Sequence, residues 1–161
     1  MLHARRIHPP SQEYELTEDD GRAPTTFSLH RGRVGTRFTL RGVDYLVRTH
    51  RLSGVYELLD ADGTPVATTD RVCRSRHMTC SERVIPFQRT AMAGREYTMI
   101  GGDDGEPAGT IRRTGTVHSE ATADLPGVAL VPQVFALVVL LLRARRKRTA
   151  AAARPASLAG G

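Results

Sequence analysis

Between residues 25 and 122 apolar and polar positions alternate in short bursts. β-branched and aromatic residues gather in segments 25–29, 37–40, 43–49, 55–59, 64–69, 79–85, 96–100 and 108–112. Successive side chains of a strand point to opposite faces, so Tyr45, Val47 and Thr49 share one face and Asp44, Leu46 and Arg48 the other. Turn signals stand between the bursts: Leu52-Ser53-Gly54, Asp62-Gly63 and Asp103-Asp104-Gly105. Asp-Gly supplies the positive φ that tight hairpins require. Strands at this spacing with no helical stretch between them predict an antiparallel meander, closed or sandwiched. Gly42-Val43-Asp44-Tyr45 resembles Gly94-Arg95-Glu96-Tyr97, and Asp62-Gly63-Thr64-Pro65 resembles Asp104-Gly105-Glu106-Pro107, with the second copy ten residues shorter between blocks. The pattern suggests a two-fold pseudo-repeat.

The pattern changes at residue 125. Residues 125–142 read LPGVALVPQVFALVVLLL, eighteen positions without a charge. Pro132 can open a helix, because its missing N–H costs nothing in the first turn. From Val134 to Leu142 every face of that helix is apolar. A surface helix keeps a polar stripe, so this one must be surrounded on all sides. Lipid and protein are the two candidate surroundings. Residues 132–142 span about 16 Å at 1.5 Å per residue, against a hydrocarbon core of about 30 Å. Extending the span back to residue 125 would place Pro126, Gly127 and Pro132 inside it. A helix threaded through a closed β-barrel is the better reading. The alternative is a single-pass membrane protein, anchored by 125–142 in the inner membrane with a basic cytoplasmic tail.

At 161 residues one domain is expected. The hydrophobic fraction of 40% is enough for a core, which excludes wholesale disorder. Residues 1–24 combine Pro9, Pro10 and the acidic run Glu18-Asp19-Asp20, and read as a flexible segment in which Tyr14-Glu15-Leu16 could add a short strand. The β domain takes 25–148, with its central helix at about 132–147, and 149–161 reads as a disordered tail. Arg outnumbers Lys 22 to 1, a bias expected of a GC-rich bacterial genome rather than of chemistry. The net charge of +6 resides in Arg143, Arg145, Arg146, Lys147, Arg148 and Arg154, since the remaining 17 basic residues match the 17 acidic ones. One terminal cluster is not a basic face. With only 5% aromatics and no Trp, nucleic acid is not an expected partner. No secretory signal is apparent, so the cytoplasm is the expected compartment, at or near the membrane.

A run of short strands with a partial repeat, ending in an all-apolar helix followed by arginines, resembles the tubby C-terminal, phospholipid scramblase and LURP-one-related superfamily. Gly42-Val43-Asp44-Tyr45, the segment Tyr56-Glu57-Leu58-Leu59-Asp60-Ala61-Asp62-Gly63 and Val134 to Leu142 carry the resemblance, which covers roughly residues 25–148. It implies an antiparallel closed barrel of about twelve strands around the C-terminal helix. Scramblases are associated with lipid movement and calcium, tubby domains with phosphoinositides. The palmitoylated cysteine cluster and Pro-rich region of scramblases are absent from this sequence. Asp60-Ala61-Asp62 resembles the calcium segment only superficially, because Gly63 makes it an ordinary hairpin.

No catalytic, cofactor or metal site is expected. Cys73, His77 and Cys80 have C-x3-H-x2-C spacing, but a structural zinc site needs four ligands, and His118 could join only by chance of folding. Thr114 to Ser119 lacks the strand–turn–helix context of a nucleophile elbow. Gly101 to Gly105 is too acidic to cradle phosphate. The remaining feature is the run Arg143, Arg145, Arg146, Lys147 and Arg148. It reads as an anionic-lipid contact, as a complement to the helix dipole, or as the flank of an anchor. The expected function is therefore a non-enzymatic lipid- or protein-binding scaffold, with anionic phospholipid or a protein as its partner.

Overall fold

A computed structural model of the chain describes residues 1–22, 25–50, 52–72, 75–90, 95–101, 104–115 and 120–153. Twelve strands precede one helix: β1 (Leu2–Arg6), β2 (Glu13–Glu18), β3 (Thr25–Ser28), β4 (Val34–Leu40), β5 (Val43–Thr49), β6 (Tyr56–Leu59), β7 (Pro65–Val72), β8 (Ser75–Cys80), β9 (Arg83–Arg89), β10 (Glu96–Gly101), β11 (Glu106–Thr114), β12 (Glu120–Asp124) and α1 (Leu130–Ala152). Every pairing is antiparallel, in the order β3-β2-β1-β12-β11-β10-β9-β8-β7-β6-β5-β4. The two edge strands meet at a seam, where the His30 N–H donates to the Gly35 carbonyl at 2.7 Å and the Thr36 hydroxyl to the Ser28 carbonyl at 2.6 Å. The result is a nearly closed barrel, which leaves little of the unpaired edge that invites aggregation.

The barrel is mainly β, as expected, and α1 is its core. Val134, Phe135, Leu137 and Val138 are 0% exposed, and burial is continuous from Val134 to Leu142. Each fully buried residue of this kind is worth about 1.5–3 kcal/mol of transfer free energy. Inward-facing positions of the strands, such as Leu16, Val47, Leu58, Met78 and Ile85, complete the shell. The helix packs on the β1–β12–β11 side, where the inward positions are Ala4, Ala121 and Ala123 and let it approach. Gly109 on β11 lets the chain leaving β12 pass close by: a Cβ there would lie 2.5 Å from the Asp124 carbonyl oxygen.

Helix α1 enters at the lower mouth and leaves at the upper. Its start carries no side-chain cap; instead the Gln133 amide donates to the Val128 carbonyl at 2.7 Å and the Leu125 carbonyl at 3.3 Å. Pro132 is the third helical residue, still within the first turn, where the missing N–H has no helical partner to lose. The anchored alternative required 125–142 to be a single lipid-facing helix. The chain instead turns at Pro126 and Gly127 before the helix begins at Leu130, and 134–142 are enclosed by the barrel. No described helix is long and apolar enough to cross a membrane.

Three boundaries differ from the sequence reading. Residues 1–24 are not a loose segment, for β1 and β2 are full members of the sheet and β1 joins β2 to β12. Their alternation is masked in the sequence because Ala4 supplies little hydrophobic signal. The burst 79–85 is two strands, split by a tight turn in which Ser81 adopts φ 48° and Cys80 pairs with Arg83. The helix starts earlier and ends later than 132–147, running to Ala152 and so into the predicted tail. As for the repeat, the two Asp-Gly blocks occupy equivalent hairpins, β6–β7 and β10–β11. The ten extra residues of the first copy hold the whole strand β6, so β5 and β10 begin at opposite ends of the barrel.

Candidate functional site

The upper mouth is built by the strand alternation itself. The inward register of β1 runs Leu2, Ala4, Arg6; that of β8, read toward the same mouth, Met78, Arg76; that of β9, Ile85, Phe87, Arg89; that of β11, Ile111, Arg113. Four inward rows that begin apolar thus end on arginine at one rim. Arg95, just before β10, and Arg31, just after β3, lie at the same end. An arginine at the end of such a row can lay its stem along the apolar interior and turn its guanidinium toward the mouth.

Into this ring the helix brings its own cations. Consecutive helical residues are about 100° apart, so Arg143, Arg145, Arg146, Lys147 and Arg148 face the rim all round. Arg143 donates to the Tyr97 hydroxyl at 3.2 Å, and Arg145 donates to the Leu29 carbonyl. The Arg76 guanidinium lies 5.4 Å from the Tyr97 ring centroid, a cation–π contact. Arg146, Lys147 and Arg148 are exposed, whereas Arg143 and Arg145 are half-buried. Clefts separate the helix from the rim. Arg113, Arg143, Lys147 and Arg148 line one. Gln12, Tyr14, Arg31, Arg145 and Arg148 line a second, and His30, Arg31, Arg145 and Arg146 a third.

Crowding of like charge is visible in the titration of the half-buried guanidinia. Burial, then Arg31, push Arg145 below the usual arginine range, with Tyr14 acting in the opposite direction. Burial, then Arg148 and Arg95, do the same to Arg113. Both remain cations at physiological pH, since arginine does not deprotonate there. The dipole explanation of the run does not hold. The last turn of α1 contains no basic residue, and the dipole effect falls off beyond that turn.

The lower mouth has the opposite charge. Its hairpins hold Asp19 and Asp20, Asp44, Asp60 and Asp62, Glu82, and Asp104 and Glu106, with Asp124 closing β12; among the described residues the cations set among them are Arg22, Arg41, Arg83 and the Met1 ammonium, which pairs with Asp19 at 2.9 Å. The charges that balance in the sequence are therefore partly sorted in space, with acids predominating at the lower hairpins and arginines at the upper, where Glu13, Glu57, Glu96 and Glu120 are interspersed. A signal for this was present: along the meander, arginine recurs at every second hairpin end and acid at the others. Reading it needs the strand directions, which the eight predicted segments did not supply.

The other candidates do not converge. Cys73 and His118 lie outside the described residues. His77 and Cys80 are three apart on β8 and so point to opposite faces. Cys80 is a free thiol, raised above the usual cysteine range by burial and partly restored by Arg83. Among the described residues no group of His, Cys, Asp and Glu could hold a metal ion. The Asp60 carboxylate accepts from the Thr64 N–H at 2.8 Å and the Asp62 N–H at 3.0 Å, which engages it in the hairpin. Of Thr114 to Ser119, only Thr114 and Gly115 are described, and of Gly101 to Gly105, positions 102 and 103 are not.

Neither protein-family models nor curated proteins match the chain. Among solved structures, the X-ray structure of a protein from Arabidopsis thaliana, AT5G01750, is similar at 14% identity and a TM-score of 0.37, over 90% of this chain and 91% of that one. That likeness carries no functional argument.

Proposed function

We propose that this barrel is a non-enzymatic binding module that presents its arginine-rich upper mouth to an anionic surface, the headgroups of the inner membrane leaflet. One observation carries the reading: the five cations of the C-terminal run meet the rim arginines of strands from across the chain at the upper mouth, while the lower mouth is acidic. Near an anionic bilayer each basic residue contributes about 1 kcal/mol, within a Debye length of about 8 Å at physiological salt. The acidic mouth is repelled by the same surface, so the two ends together orient the molecule. A mouth furnished with cations and a tyrosine hydroxyl suits binding rather than acid–base or nucleophilic chemistry. The element order also fits the resemblance to the tubby, scramblase and LURP-one-related superfamily, in which a barrel surrounds a C-terminal helix.

The test is co-sedimentation with vesicles containing phosphatidylserine, compared with phosphatidylcholine alone. Binding is expected only with the acidic lipid and should weaken steeply with salt. Replacing Arg143, Arg145, Arg146, Lys147 and Arg148 by Gln should abolish it in a variant shown to be folded. Equal binding by that variant would end the proposal.

A further inference from the structure

We infer that the cleft between Arg113 and the Arg143–Lys147–Arg148 side of α1 is a binding site for a phosphate monoester. This rests on the reading of the upper mouth as anion-facing and names the chemistry it takes. Arg113 stands on the inward register of β11, and its Nη1 is buried with no hydrogen-bond partner among the described residues. A guanidinium N–H withdrawn from water without an acceptor is an exception that calls for one. Among the described residues no carboxylate lines the cleft, and Arg148 and Arg95 add like charge. Tyr97, at the base of the cleft and nine-tenths buried, accepts its hydrogen bond from Arg143 and so has its own O–H left to donate. The Arg113 N–H and the Tyr97 O–H therefore converge on a cleft whose described lining holds no carboxylate.

A phosphate monoester answers that arrangement. Its terminal oxygens accept forked hydrogen bonds from more than one arginine, and its charge, close to two negative units at pH 7, offsets the repulsion between Arg113 and Arg148. A chloride ion lacks the separate acceptor oxygens. The flexible Lys147 ammonium can follow the charge from the exposed side.

Thermal unfolding of the full chain in inorganic phosphate, against chloride at equal ionic strength, reads the site directly. Phosphate should raise the midpoint saturably and chloride should not. Arg113→Gln should weaken phosphate binding about tenfold, the loss of one charge-assisted hydrogen bond, and Arg148→Gln should weaken it measurably should the first variant fail to fold. Arg22→Gln at the acidic mouth, with the same change in net charge, should leave it intact. Vesicles of phosphatidic acid and of phosphatidylserine, matched in surface charge, then identify the source. Preference for phosphatidic acid that Arg113→Gln removes assigns a lipid headgroup; phosphate binding without that preference assigns a soluble phosphorylated compound. No effect of phosphate beyond chloride, or stabilisation of both Arg113→Gln and Arg148→Gln by phosphate as strong as that of the unaltered chain, overturns the site. Vesicle binding persisting in that case would leave the broader reading standing, whereas its loss alone would remove only the membrane.

Discussion

The two mouths of this barrel are made from the same hairpin grammar and end up with opposite chemistry. At the lower mouth the turns are tight and self-satisfied: Asp60 accepts backbone hydrogen bonds from its own loop, and Gly63 and Gly105 adopt the positive φ such turns need. Its acids serve local structure while setting a negative field. At the upper mouth Arg6, Arg143 and Arg145 donate to nearby oxygens as well, but one guanidinium is not fully engaged. Arg113 retains a buried N–H with no partner among the described residues, and burial together with neighbouring arginines pushes both Arg113 and Arg145 below their ordinary range. The lower turns satisfy their own polar groups, whereas the upper mouth keeps one buried guanidinium N–H without a partner among the described residues. Function in a barrel otherwise filled by its own helix is thus expected where polar groups are unsatisfied.

The largest effect that would break this comparison comes from the core joining the two ends. Leu137 is 0% exposed, so Leu137→Arg would bury an unpaired charge and should abolish the cooperative unfolding transition, with both mouths lost together. A folded variant would mean that the helix is not the core. Next is Gly109→Ala, whose Cβ would meet the Asp124 carbonyl. It should cost about 1–3 kcal/mol in denaturant unfolding while leaving the cations of the upper mouth in place. Smaller still, Asp60→Ala removes the acceptor of two turn N–H groups and should cost about 1 kcal/mol. Vesicle binding should not fall with it, because the change lies at the lower mouth. If binding did fall, the two ends would not be separable. The smallest effect concerns Cys80. Its raised pKa means that the folded state holds the thiol proton more tightly, so any stabilisation is complete below the ordinary cysteine pKa and is lost as pH rises through the folded value. Maleimide labelling of the folded chain should accordingly lag that of the denatured chain near pH 8, and equal rates would contradict the burial.

Much of the architecture could be read without coordinates. Strand bursts separated by Asp-Gly turns specify an antiparallel meander, and Val134 to Leu142, apolar on every helical face, can only be enclosed. The strands that escaped detection have small or polar residues at their inward positions. Ala4, Ala121 and Ala123 give β1 and β12 almost no hydrophobic signal, yet they are alanine because the helix passes closest there. Of the candidate site, the helical run was legible as a block of charge, whereas Arg6, Arg31, Arg76, Arg95 and Arg113 were not. Each is an ordinary strand-end arginine until the barrel brings them together.

The sequence by itself determined the period of the strands, the chirality-demanding turns and a helix that must be surrounded, because those properties depend on residues within a few positions of one another. It also determined the net charge, but not where that charge acts. Only closure of the barrel, with β1 paired to β12 and β3 brought beside β4, set all the strand ends on two rims. Electrostatic potential depends on distance in space, so a chain whose first 142 residues carry equal numbers of basic and acidic groups became a molecule with one acidic and one arginine-lined end.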